Sequence, residues 1–221
     1  MPKEITITPH RLEALFPRVI YVADNVCLDI LPELEKTAKE ISDKCDTFRC
    51  GELNVDSTYE TNKTIFTTHP FDILKDTIDY HSQNFLEELG ISDIGADMVN
   101  MWVNISNKGD FNYPHTHSGA FLSGAFYIKA NEGNIIKFFN DHYAMGNMYI
   151  SRDEKFFSSQ YAHIPCVTGR LMIWQSNFMH GNPPQEFDGE KIVVSFNSFI
   201  SHKNNLIPSM SSMSSIGLNN M

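Results

Sequence analysis

The sequence is short of cysteine. Its four residues, Cys27, Cys45, Cys50 and Cys166, include no C-x-x-C pair, so a thiolate zinc knuckle is not expected. It lacks any apolar run long enough to span a bilayer, which argues against a membrane partner. Met1-Pro2-Lys3-Glu4 opens no apolar signal segment, so the expectation is a cytoplasmic protein with reduced thiols. Basic residues are outnumbered, 17 Lys and Arg against 27 Asp and Glu. The resulting charge of −10 discourages a partner bound by broad phosphate neutralisation, and no nucleic acid is expected. Charge alone leaves a local basic groove open. There is no internal repeat. At 221 residues the chain is long enough for a sizeable core, as one domain or one domain with an N-terminal subdomain.

What is present is a histidine pair in Tyr113-Pro114-His115-Thr116-His117-Ser118-Gly119. On a strand, residues two apart project from one face. Two imidazoles so placed can reach one metal ion, and imidazole is the commonest protein ligand for first-row metals.

The pattern around the pair changes along the chain. Residues 15–23 read as a short β-branched strand. Asp29 to Lys44 reads as a helix, with Pro32 in its first turn and Leu31, Leu34, Ala38 and Ile41 on one face. Residues 45–63 are polar and read as an irregular loop. Asp72 to Leu89 is the clearest helix, with Leu74, Ile78, His81, Phe85 and Leu89 at helical spacing and Gly90 at its cap. His81 on that face reads as a packed core histidine.

From residue 96 onward, strands dominate. Asp97 to Ile105 alternates, with Trp102, Asn104 and Ser106 on one face and Val99, Met101, Val103 and Ile105 on the other. Phe121 to Lys129 and Asn134 to Phe139 are strand-like, and Asn131-Glu132-Gly133 between them reads as a tight hairpin turn. Asp141 to Gln160 is a long aromatic-bearing connection, either functional or covering the core edge. His163 to Val167, Leu171 to Gln175 and Lys191 to Ile200 complete about six strands, and residues 201–221 read as a tail. The expected class is α+β with a mainly β core, a sandwich or jelly roll whose N-terminal helices cover one sheet. The expected organisation is a single domain over 1–200, helical in 1–95 and β in 96–200.

His180, in Phe178-Met179-His180-Gly181-Asn182-Pro183-Pro184, is the third candidate metal ligand. It follows a strand and precedes a rigid turn. With His115 and His117 it would occupy one face of an octahedral ion and leave three positions open. Lys191 begins the last strand, where Lys191, Val193, Ser195 and Asn197 share a face. Turned inward, the lysine needs an anion, because an unpaired buried ammonium is costly. Taken alone, it reads as an exposed strand-end lysine.

Trp102-Val103-Asn104, Gly109-Asp110-Phe111-Asn112, His115-Thr116-His117, Leu122-Ser123-Gly124-Ala125-Phe126-Tyr127 and Gly169-Arg170-Leu171 through His180 together resemble the 2-oxoglutarate and Fe(II)-dependent oxygenases. They are most similar to a group of uncharacterised members from marine bacteria and phages. With Leu15-Phe16-Pro17 through Tyr21, the resemblance covers nearly all of the chain except the tail. It implies a double-stranded β-helix, cupin-like, with Fe(II), 2-oxoglutarate and O2 as cofactor and cosubstrates. The compartment would be the cytoplasm of a bacterium or of a phage-infected host. His115 and His180 match ligand histidines, and His117 matches a position that is acidic in most of the superfamily. Tyr127, Lys191 and Ser195 match residues around 2-oxoglutarate, with Lys191 on its distal carboxylate. Trp102, Asn104 and Asn197 would line the pocket.

His117 departs from the pattern. Three neutral imidazoles leave the full charge of a divalent ion and suit Zn, Cu and Ni as well as Fe. Asp110 and Asp141 are the acids nearest in sequence that could ligate instead. The expected activity is hydroxylation of a C–H bond in a small-molecule or peptide substrate, with 2-oxoglutarate decarboxylated to succinate. The alternatives are a three-histidine cupin enzyme that does not use 2-oxoglutarate, and a non-catalytic jelly-roll binding or structural protein.

Overall fold

The computed structural model describes residues 17–45, 48–50, 53–140 and 161–202. In chain order the elements are β1 (Ile20–Ala23), α1 (Leu31–Lys44), β2 (Phe48–Cys50), β3 (Leu53–Ser57), a 3-10 turn (Ile65–Thr67), α2 (Phe71–Glu88), β4 (Ile94–Ser106), β5 (Phe111–His115), β6 (Leu122–Lys129), β7 (Ile135–Phe139), β8 (Tyr161–Pro165), β9 (Leu171–Gln175), β10 (His180–Asn182) and β11 (Lys191–His202).

Both helices form where apolar spacing places them. In α1, Pro32 occupies the first turn and Leu34 and Ala38 are fully buried. In α2, Phe71, Leu74, Ile78, Phe85 and Leu86 form the buried stripe, and Gly90 ends the helix at φ +75°, a left-handed conformation that glycine adopts freely. Ser82 takes the centre of that stripe, while His81 sits half-buried at its edge with Nδ1 2.9 Å from the Tyr21 hydroxyl.

Hydrogen bonding runs unbroken through β1-β9-β6-β11-β4-β3-β5-β10-β7-β8, with β2 attached to β3. The path turns over at β3, where only Asp56 and Ser57 meet Ile105 and Asn104 of β4. A main layer, β1-β9-β6-β11-β4, thus faces a smaller one, β3-β5-β10-β7-β8. The Phe138 ring of β7 meets the Trp174 ring of β9 edge-on at 5.2 Å across the gap.

The period-2 alternation of the main strands decides what each face meets. Met101, Val103, Phe126, Ile173, Val194 and Phe196 turn outward onto α1 and α2 and form the larger core. Ala125, Tyr127, Met172, Trp174 and Val193 turn inward and pack with Ile136 and Phe138 of the smaller layer. Burying each large apolar side chain contributes about 1.5–3 kcal/mol.

Three expectations change. The 45–63 segment is not irregular throughout: β2 and β3 lie within it, and β3 bridges β4 and β5. Leu53-Asn54-Val55-Asp56 does alternate, and Val55 and Ser57 are buried, but the run is too short to stand out from its polar flanks. Asn131-Glu132-Gly133 is a tight turn, with Gly133 at φ +87° and Asn134 N–H donating to Asn131 O at 3.1 Å. It does not close a hairpin, because β6 pairs with β9 and β11 whereas β7 pairs with β8 and β10. The turn carries the chain from one layer to the other. Finally, eight strands follow residue 93 rather than about six, and β11 runs to His202. The 141–160 connection, residues 15–16 and residues 203–221 lie outside the described residues. No helix among the described residues is long and apolar enough to cross a membrane.

Candidate metal centre

Between the two layers lies a cavity of about 710 Å³, lined among others by His115, His117, His180, Lys191, Ser195 and Asn197. Two of the histidines come from paired strands. His115 ends β5 and His180 begins β10, and the two stand opposite each other in the ladder. Gly181 makes this approach possible: a Cβ there would lie 2.7 Å from the Asn112 carbonyl oxygen.

His117 is different. It lies two residues beyond the end of β5, so the pair is not presented by one strand face as its spacing predicts. A short loop carries it instead. His117 N–H donates to Ser176 O at 3.0 Å, Ala120 N–H donates to His117 O at 3.3 Å, and Gly119 turns the chain at φ +87°. The loop brings the His117 ring within 5.2 Å of the His115 ring and 5.0 Å of the His180 ring.

One ring nitrogen from each histidine lies within 4.8 Å of the other two. The far nitrogens are all engaged. Nδ1 of His115 lies 2.7 Å from Tyr113 O, Nδ1 of His180 lies 2.8 Å from Phe178 O, and Nδ1 of His117 lies 2.6 Å from Asn197 Oδ1. Each of these oxygens accepts, so each ring carries its proton at Nδ1 and offers Nε2 as an unprotonated donor. Burial keeps the His117 and His180 rings neutral. Desolvation, with smaller repulsion from the neighbouring histidines, holds His180 down at about 3. Desolvation holds His117 at about 4, partly opposed by its bond to Asn197. Three imidazoles with preset tautomers at the edge of this roomy cavity fit a divalent transition metal.

Of the acids proposed as substitutes, Asp110 does not join the group. Asp110 is buried and accepts a hydrogen bond from Asn107 N–H at 2.7 Å, apart from the histidine cluster. Asp141 lies outside the described residues.

Lys191 is only 4% exposed, which overturns its reading as an exposed strand-end lysine. It opens β11 opposite Ser106 of β4 and turns into the cavity with Val193, Ser195 and Asn197, while Ile192, Val194 and Phe196 face the helices. Burial pushes its pKa down, and the charges of Cys166 and Asp110 pull the other way. Among the described residues no hydrogen bond or ion pair holds its ammonium. Tyr127, opposite Val193, is fully buried; desolvation, then neighbouring Cys166, pushes its phenol well above its usual range. Ser195 Oγ accepts a 2.9 Å hydrogen bond from Asn104 Nδ2. Trp102 is nearly buried, 5.9 Å from the His117 ring, with Tyr59 against it edge-on at 4.8 Å.

The cavity therefore gathers His115, His117, His180, Lys191, Tyr127, Ser195, Asn104, Trp102 and Asn197. Sequence reasoning missed Trp174, whose ring meets His180 edge-on at 4.7 Å, and Ser123, which bonds Asn197 at 2.7 Å. Period-2 alternation from Tyr127 back along β6 would have pointed to Ser123. It also missed Tyr59, for which a single aromatic in a polar stretch gave no signal.

Residues 100–197 match the model of a family described as "Putative 2OG-Fe(II) oxygenase". That segment contains every residue lining the cavity except Tyr59, Val99 and Phe199. A search of curated proteins finds no match. Among solved structures, the chain is similar to a Pseudomonas putida prolyl-4-hydroxylase, with a TM-score of 0.56 and 11% identity over 82% of this chain and 93% of that one. It is also similar to the viral collagen prolyl hydroxylase of Paramecium Bursaria Chlorella virus-1, with a TM-score of 0.53 and 14% identity over 82% and 94%. A third is the non-heme alpha ketoglutarate dependent epimerase SnoN of nogalamycin biosynthesis, with a TM-score of 0.58 and 11% identity over 86% and 83%. At these identities the likeness is one of fold, the double-stranded β-helix.

Proposed function

We propose that this 2OG-Fe(II) oxygenase-type chain is a dioxygenase that holds Fe(II) on His115, His117 and His180 and uses 2-oxoglutarate to hydroxylate a C–H bond of a small-molecule or peptide substrate. The observation that carries the reading is that a buried, unpaired lysine and a three-histidine cluster open into one cavity. A dianionic 2-oxo acid answers both needs. Its distal carboxylate would neutralise Lys191, which otherwise bears the cost of a buried ammonium. Its 2-oxo acid end would turn toward the histidines.

Bound Fe(II), with O2 and 2-oxoglutarate, supplies the oxidative chemistry that yields succinate, CO2 and a hydroxylated product. The protein's own contribution is placement and exclusion of water. Lys191 gives charge, and Tyr127 and Ser195 give hydroxyl groups along the same wall. Trp102 and Trp174 cover the flanks of His117 and His180 with apolar surface. Nδ1 of each histidine stays protonated on its own acceptor, so Nε2 remains free for the ion.

A three-histidine dioxygenase that does not use 2-oxoglutarate is favoured by one feature, the absence of a carboxylate from the described cluster. The buried lysine favours the first reading over it, since such an enzyme needs no cation at the far end of the cavity. The test is anaerobic Fe(II) loading, then exposure to oxygen and 2-oxoglutarate, with succinate release measured against a metal-free blank. Succinate formation that falls in Lys191→Ala is the expected result. No succinate above the blank, with broad substrate pools present, counts against the class. Turnover unchanged in Lys191→Ala removes the lysine from the account and leaves the class standing.

A further inference from the structure

We infer that Asn197, pinned by Ser123, is the positioning residue that makes His117 usable as a metal ligand. The inference rests on reading the histidine cluster as a metal centre.

The three histidines differ in what holds the nitrogen turned away from the cluster. His115 and His180 each direct Nδ1 to the main-chain carbonyl two residues earlier, Tyr113 and Phe178. A main-chain carbonyl can only accept, so these two tautomers are fixed by the backbone itself. No side-chain substitution elsewhere removes that acceptor. His117 lacks such an arrangement. It sits in a loop beyond the strand, and its Nδ1 depends on a side chain contributed by β11, Asn197.

An asparagine amide has one accepting and one donating end, so its orientation decides which tautomer His117 adopts. The amide turns Oδ1 toward His117, and Ser123 meets the same oxygen. Its Oγ lies 2.7 Å from the same Oδ1 that meets His117 at 2.6 Å. Ser123 and Asn197 face each other in register across β6 and β11. Both are buried, at 0% and 7% exposure, so water does not readily replace either bond. A hydroxyl and an imidazole N–H thus converge on one amide oxygen, and His117 is left with Nε2 free.

This arrangement answers a need specific to histidine at position 117. An aspartate there would present oxygens whichever way it turned and would have no N–H to place. The Ser123–Asn197 pair therefore accompanies the departure at His117, and its effect on metal binding should vanish when that histidine is replaced by a carboxylate.

The test uses the full chain with Asn197→Leu, which keeps volume and removes the acceptor, and Asn197→Asp, which keeps an acceptor. Each is made in the wild-type background and in His117→Asp. Co(II) affinity is measured by calorimetry, and the His117 tautomer is read by nitrogen NMR on histidine-labelled protein. Asn197→Leu should weaken Co(II) binding by about 10–100-fold and abolish the fixed Nδ1–H signature, the range seen for outer partners of ligand histidines. Asn197→Asp should retain both. In His117→Asp, Asn197→Leu should leave Co(II) affinity unchanged. An equal loss in both backgrounds would reduce Asn197 to a packing role and overturn the inference, as would an unchanged tautomer in Asn197→Leu. If wild type binds no Co(II), the metal reading fails, and the tautomer in the metal-free protein still decides what Asn197 does. Should Asn197→Leu fail to fold, Ser123→Ala serves instead, with a mixed His117 tautomer expected and a single Nδ1–H form refuting the pinning.

Discussion

His180 stands directly opposite His115 across the β5–β10 ladder, with ring centroids 4.5 Å apart. Two of the three candidate ligands therefore share one hydrogen-bonded base, and the third is brought to them by a loop.

Removing His180 should release the ion. His180→Ala takes away a candidate ligand from the most buried corner of the cluster, and the loss of affinity should exceed the roughly 10–100-fold typical of outer partners. Metal content of the purified, reloaded protein by elemental analysis checks this. Unchanged stoichiometry would show that His180 is not a ligand.

Lys191→Met should separate cosubstrate binding from stability. The substitution removes a buried cation and keeps an apolar stem, so 2-oxoglutarate affinity should fall at least tenfold, about 1.4 kcal/mol. The metal-free protein should be no less stable. The sign with pH follows from burial: the folded-state pKa of Lys191 lies below the 10.5 of the free side chain. Between those two values the unfolded chain binds more protons, so this group's penalty shrinks as pH rises. Urea titrations from neutral to alkaline pH should show the stability gap between Lys191→Met and wild type narrowing. A constant gap would mean that burial does not lower the folded-state pKa of Lys191.

Gly181→Ala should damage the fold and the site together. A Cβ would sit 2.7 Å from Asn112 O and 3.0 Å from Tyr113 O, and both are strand backbone with little room to yield. Overpacking of this kind typically costs about 1–3 kcal/mol. Because β10 must move away from β5, His180 moves away from His115, and metal affinity should fall as well. Chemical denaturation and calorimetry on the same preparation measure both effects.

Three imidazoles without a carboxylate should favour borderline metals. In competition experiments Ni(II), Cu(II) and Zn(II) should each displace Fe(II), following the general order for nitrogen sites. His117→Asp should narrow the advantage by adding a hard, anionic ligand. Equal affinities for Fe(II) and Zn(II) in wild type would point to a further ligand outside the described cluster.

Much of this was legible because the relevant signals are local. The two helices announced themselves through 3.6-residue apolar spacing, and the inward faces of β4 and β11 through alternation at Trp102, Asn104, Ser195 and Asn197. His180 could be paired with His115 and His117 only by expecting a jelly roll, since nothing in its own neighbourhood marks it. The missed features depend on tertiary partners. β3 is a five-residue strand flanked by β4 and β5, and its alternation, Leu53-Asn54-Val55-Asp56, is too short to stand out in a polar stretch. The Asn131–Gly133 turn has hairpin chemistry, yet the strands on either side belong to different layers, and turn residues do not encode which neighbour a strand selects. His117 followed the spacing of a strand that had already ended.

Order of assembly has its own consequence here. β11 is the last described element in the chain, but it occupies an interior place in the main layer, between β4 and β6. It contributes Lys191, Ser195 and Asn197 to the cavity. During synthesis the earlier strands emerge with that interior place empty, exposing unpaired edges of β4 and β6 until Lys191–His202 arrives. Such non-local pairing is slow and leaves nascent chains open to mispairing. A ribosome-bound chain halted before residue 191 would carry all three histidines, yet lack the strand that brings Asn197 to His117.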